Sequence, residues 1–213
     1  MLIIFRWWYF LGIGGIGLTA FGAVETGHAL DSEPEPASVS LAALESGAAP
    51  PQPYVRLGTN LAMYPMLAYQ ERSGRIENVC YPLISEDHAY VQAWRKLAER
   101  YGDADVPPGE VPVLDGVRVY AFDKQWKQLA DLPSDTVPNE SLEGLLFPVK
   151  KLGDKERQLL VTSSGRPVES DVLVLEVGRK PRSLLTCIQF LAVGVALLVL
   201  AVLRFFKKPK PAQ

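Results

Sequence analysis

The chain has 213 residues, 48% of them apolar, and a formal net charge of −2, which leaves room for one ordinary domain besides any membrane segments. All 24 acidic residues fall between Glu25 and Glu176 against 14 basic ones, so the middle carries −10 while the ends carry +8. So acidic a middle argues against nucleic acid, whose affinity comes mostly from Lys and Arg on phosphates. With only Cys80 and Cys187, neither a disulfide framework nor a cysteine-based zinc site is available.

Residues 1–24 read as a first transmembrane helix, apolar from Trp7 to Ala23 or Val24 and opened by a basic and aromatic cluster, Arg6, Trp7, Trp8 and Tyr9, suited to the headgroup layer. A cleaved secretory signal is the competing reading, although Phe21 and Leu18 stand where small residues should precede a cut. Gly15, Thr19 and Ala23 recur every four residues, a spacing that lets another helix approach closely. Residues 25–53 are rich in Glu, Pro, Ala, Ser and Gly and read as a flexible acidic tether. One turn of helix interrupts it, with Ser40 as cap and Leu41 and Leu44 as apolar contacts.

From Tyr54 to about Gly178 short β-type runs alternate with turns. Strands are expected at 54–57, 61–69 (broken by Pro65), 78–84, 117–122, 145–150, 158–163 and 171–177, with a hairpin turn at "LDGV". Val91, Trp94, Leu97, Ala98 and Tyr101 share one face of a helix over about 86–101, capped by Ser85 or Asp87 and packed on the sheet. A second short helix is expected around Trp126 and Leu129. The expected fold is therefore an α+β membrane protein: two transmembrane helices flank a small β-rich domain, an antiparallel barrel or sandwich with one or two packed helices.

Leu184–Leu203 is an uncharged twenty-residue run, long enough to cross a bilayer core at 1.5 Å per residue. It offers small residues at Ala192 and Ala196, and a basic tail, 204–213, follows with Arg204, Lys207 and Lys208 as interface anchors. Counting basic residues at the helix ends places both termini in the cytoplasm of a cell (inner) membrane and the domain outside it. Arg179, Lys180 and Arg182 weigh against that assignment.

Chemistry is sparsely signalled. His28 lies in the tether and His88 in the turn "SEDHAY", where capping accounts for it. Asp103, Asp105 and Glu110 lack the spacing of a calcium loop. Tyr64, Tyr69 and Tyr81 form a possible interaction surface, with core packing as the competing use. The order of parts, one span, a domain, a second span and a short basic tail, resembles the layout of the surfeit family of oxidase assembly factors. That resemblance carries over no residue role.

The expected function is non-enzymatic: an accessory subunit, scaffold or assembly factor for other membrane proteins, with no cofactor and no small-molecule substrate. The alternative is a membrane-anchored enzyme or ligand-binding module that uses Asp103, Asp105 or Asp115, or a tyrosine-rich groove.

Overall fold

The computed structural model describes residues 8–102 and 104–206. The chain divides into two compact units: one spans Glu35–Lys180, the other comprises the segments before and after it.

The sheet unit contains β1 (Ala37–Val39), α2 (Leu41–Glu45), β2 (Tyr54–Leu57), β3 (Asn60–Met63), β4 (Ala68–Arg72), β5 (Arg75–Ile84), α3 (Ala89–Tyr101), β6 (Val119–Asp123), β7 (Thr136–Asn139), β8 (Leu142–Pro148), α4 (Asp154–Ser164) and β9 (Leu173–Val177). The strands form one curled mixed sheet in the order β1-β2-β8-β9-β6-β5-β3-β7, with β4 paired to the first half of β5. Two neighbouring pairs are parallel, β1/β2 and β6/β9, and the others antiparallel. The sheet is thus mixed where a purely antiparallel barrel or sandwich was expected. A parallel pair needs a crossover of a dozen or more residues, and the α2 segment between β1 and β2 supplies one.

Both faces of the central strands are buried, which is why these strands are apolar almost throughout. Val79, Tyr81 and Leu83 of β5 join one core cluster with Val119, Ala121 and Leu175, and α2 adds Leu41 and Leu44 to it. Cys80 and Ile84 join the other with Tyr120, Phe122 and Val174, which α4 covers with Leu159 and Leu160. Gly144 is required where β8 meets β9, because a Cβ there would run into the Glu176 carbonyl.

Four expectations are corrected. Residues 158–163 are helical: α4 starts where Glu156 accepts the Gly153 N–H (3.1 Å) and ends at Gly165 in the left-handed region (φ 67°), so capping overrides the β-branched look of "LLVT". Residues 25–53 do not form one flexible tether. The first helix continues to Asp31, and β1 and α2 are built into the sheet unit, with Leu41 and Leu44 each only 1% exposed. Around Trp126 only a 3₁₀ turn forms, Leu129–Asp131. Residues 114–117 are irregular chain leading into β6, with Gly116 at φ 72°, and no hairpin forms there.

The other unit holds α1 (Trp8–Asp31) and α5 (Leu184–Phe206), 24 and 23 residues, each about 35 Å long. Both are long and apolar enough to cross a membrane. Residues 25–31 contain no proline and only one glycine, Gly27, so α1 outruns the expected boundary at Val24, and the first proline after it is Pro34.

Candidate functional site

The helix pair has the more specific geometry. In α5 the buried residues are Cys187, Gly194 and Ala201, spaced by seven, and in α1 Gly15 and Gly22 are buried, also spaced by seven. A Cβ on Gly15 would stand 2.8 Å from Leu198 Cγ and 3.0 Å from the Gly194 carbonyl. One on Gly194 would meet the Thr19 backbone nitrogen at 2.7 Å, and one on Gly22 the Leu191 nitrogen at 3.0 Å. The two backbones therefore approach through glycine, in a heptad seam of the kind that left-handed helix pairs use. The Thr19 hydroxyl donates to the Gly15 carbonyl (2.8 Å), and that of Thr26 to the Gly22 carbonyl (2.6 Å), so neither leaves a bare polar group in the apolar pair.

Gly15 and Thr19 lie on this seam, but Ala23, Ala192 and Ala196 are exposed on its outside. A repeat of four drifts around the helix, whereas alternate steps of three and four keep contact, and this puts Gly22 and Gly194 where Ala23 and Ala192 were expected. The outer faces are apolar: Ile13, Ile16, Val24, Val193, Val195, Val199 and Leu203 are all at least half exposed. At one end of the pair, Glu25 is almost wholly buried and meets Arg182 at 3.6 Å. The Arg182 guanidinium also sits 5.4 and 5.7 Å from the rings of Phe21 and Phe190, which pack edge to face. Of the expected interface anchors, Tyr9 and Arg204 are exposed at the other end of the pair. Arg6, Trp7, the Trp8 side chain, Lys207 and Lys208 lie outside the described residues.

The sheet unit answers most of the remaining expectations. Tyr64 and Tyr81 are core residues, 7% and 1% exposed, their rings 4.5 Å apart with Trp126 packed edge-on at 6.2 Å from Tyr64. They form no open surface, and of the three tyrosines only Tyr69 is exposed. Large aromatic area stabilises most when buried, and the inward face of β5 takes Tyr81 there. Asp103 lies outside the described residues, and Asp105 is exposed. Asp115 pairs with Arg166, whose hydrogen bond, helped by the Gly116 N–H, holds its carboxyl below the usual range. His88 caps α3, its Nδ1 accepting the Tyr90 N–H at 3.2 Å, which is the role expected of Ser85 or Asp87. Among the described residues no three His, Cys, Asp or Glu side chains gather as a metal site.

Two carboxylates organise the chain that leaves the unit. Glu143 accepts from the buried Tyr54 hydroxyl, bonds Arg56 at 3.0 Å and meets Lys180 at 3.5 Å. The Tyr54 hydroxyl and Arg56 hold Glu143 below the usual carboxylate range, and burial with the Glu143 contact pushes Tyr54 up to about 12. Glu176 bonds Lys124 (2.6 Å) and Arg179 (2.5 Å); burial by itself would raise its pKa, but the two cations outweigh it and the shift is downward. Arg179, Lys180 and Arg182, the basic residues before α5, therefore each face a carboxylate.

The surface of the unit has several openings, two of which gather polar side chains. A cleft of about 530 Å³ is lined by Ser38, Ser40, Thr59, Ser85 and Ser141 with Arg56 at its rim. Below it Glu45 accepts both the N–H (2.9 Å) and the hydroxyl (2.5 Å) of Ser85, which ties α2 to the end of β5. A crevice of about 110 Å³ is lined by the ion pairs Arg166/Asp115 and Arg118/Asp171 together with Glu169. Comparison of the chain with protein-family models, with curated proteins and with solved structures gave no match.

Proposed function

We propose that this is a two-span membrane protein of the non-enzymatic kind, an accessory subunit, scaffold or assembly factor that holds its sheet unit at a bilayer surface and associates with other membrane proteins. The observation that carries the reading is the inversion of the helix pair: small residues form its seam and large apolar residues cover its outside. Such a surface is costly in water and natural in lipid, where close backbone packing supplies the association energy that the hydrophobic effect cannot.

The side assignment rests on the count of basic residues at the helix ends. Arg6, Arg204, Lys207, Lys208 and Lys210 on the terminal side outnumber Arg179, Lys180 and Arg182 on the other, in favour of cytoplasmic termini and an extracytoplasmic sheet unit. A tag at the carboxyl end tests both parts. Isolation in mild detergent is expected to bring a stoichiometric membrane complex through washing, and the tag in intact cells is expected to resist a membrane-impermeant reagent. Recovery of the protein alone would count against the accessory role, and labelling of the tag without lysis would reverse the sidedness.

A further inference from the structure

We propose that α3 is an interfacial helix that lays its apolar stripe into the headgroup layer of the same bilayer. This rests on the reading that α1 and α5 span a membrane.

The first turn of α3 is docked, Tyr90 and Val91 packing on the core cluster beneath α4. Beyond that the stripe leaves the core: Trp94 is 36% exposed, Ala98 is exposed, Leu97 and Tyr101 are half-buried, and no residue of the helix is buried. A helix this amphipathic ordinarily buries its apolar face. The neighbouring loop adds to the bare surface. Glu110 accepts from Arg100 (3.1 Å) and from the Tyr101 hydroxyl (2.9 Å), fastening the loop to the last turn, and beside it Val111 and Val113 are 44% and 84% exposed.

Two observations select the bilayer as occupant. The first is reach. Only residues 32–34 separate α1 from the sheet unit, and only 181–183 separate the unit from α5. At 3.3–3.6 Å per residue such three-residue links span on the order of 10 Å, which keeps the sheet unit close to the headgroups. The second is the placing of charge. At 100° per residue, Arg95 and Arg100 flank the Trp94-centred stripe, each roughly 110° from its midline, where long side chains can reach phosphates while the rings sit lower. Their pairings in the structure, Arg95 with Glu86 at 3.9 Å and Arg100 with Glu110 at 3.1 Å, are solvent-exposed and weak enough to exchange for lipid phosphate. Lys96 adds a third cation against the single acid Glu99, within a unit that is otherwise acidic.

The test uses the full chain in phosphatidylcholine vesicles, with and without phosphatidylglycerol. Cys80 and Cys187 are fully buried, so nitroxide can be placed at Ala98→Cys, Lys96→Cys or Val195→Cys without removing them. The expected result is an oxygen-over-nickel collision preference several-fold higher at 98 than at 96, increased by the anionic lipid, with 195 showing the full lipid preference. Equal water access at 98 and 96 while 195 reports lipid would overturn the proposal and leave the anchoring intact. Water access at 195 would overturn the anchoring itself. Shielding of 98 from both oxygen and nickel, in detergent as in vesicles, would also overturn the proposal and assign the stripe to a protein partner.

Discussion

The two units are packed on opposite plans. In the sheet unit the large side chains, Tyr81, Leu83, Ile84 and Leu160, are sealed inside, and among the described Asp, Glu, Lys and Arg residues there only Asp123 is buried with them. In the helix pair glycines and Cys187 form the inside, while Ile13, Val195 and Phe206 face out. The contrast teaches which force holds each: loss of apolar surface to water in the first, close approach of two backbones in the second. Each unit also carries one fully buried thiol, Cys80 or Cys187, that reports on it alone.

The largest expected effect is on the sheet unit. Leu44→Ala leaves a cavity at a fully buried position and is expected to cost about 2–5 kcal/mol, read as a lower denaturant midpoint and faster alkylation of Cys80 with Cys187 unchanged. An unchanged midpoint would return α2 to the status of a loose tether. Next comes the seam. Gly194→Leu forces a side chain into Thr19, and overpacking of this kind costs about 1–3 kcal/mol. Cys187 should then become reactive while Cys80 stays protected, and Val193→Leu, on the outside, should change neither. The smallest effect is electrostatic. Glu143 and Glu176 titrate below their unfolded values, so the stability they add is present above about pH 4.3 and is lost as pH falls through the folded values. The double variant Glu143→Gln, Glu176→Gln should lose about 1 kcal/mol at neutral pH and show a shallower acid transition. An identical acid profile would reduce both clusters to surface decoration.

The sequence reading succeeded where one local signal acted alone. "YVRL" is a strand because its β-branched and aromatic content has no competitor, "NVCYPLI" is one in spite of Pro82, and the apolar run from Leu184 is helical because nothing breaks it. It failed where two signals competed. "QLLVTS" looks extended, yet the Gly153/Glu156 start and the Gly165 stop bracket a helix, and those caps were readable. Leu41 and Leu44 sit in a Pro- and Ala-rich stretch whose composition says tether, and their place in the core depends on partners far along the chain, such as Val119. On the helices, the choice between a four-residue and a seven-residue repeat was open until both partners were seen, because Gly15 and Thr19 fit either. The face of α3 was legible, but not that the sheet would leave it bare.

The sealing of both thiols has a consequence for the compartment in which the chain can live. Only a thiolate attacks a disulfide or an oxidant, and burial pushes the Cys80 thiol well above its ordinary range, while Cys187 is closed in by the helix seam. A protein so built needs no disulfide and offers no exposed cysteine. Once folded it can therefore persist on the oxidising side of a membrane as readily as on the reducing side, its thiols out of reach of the enzymes that form and shuffle disulfides there.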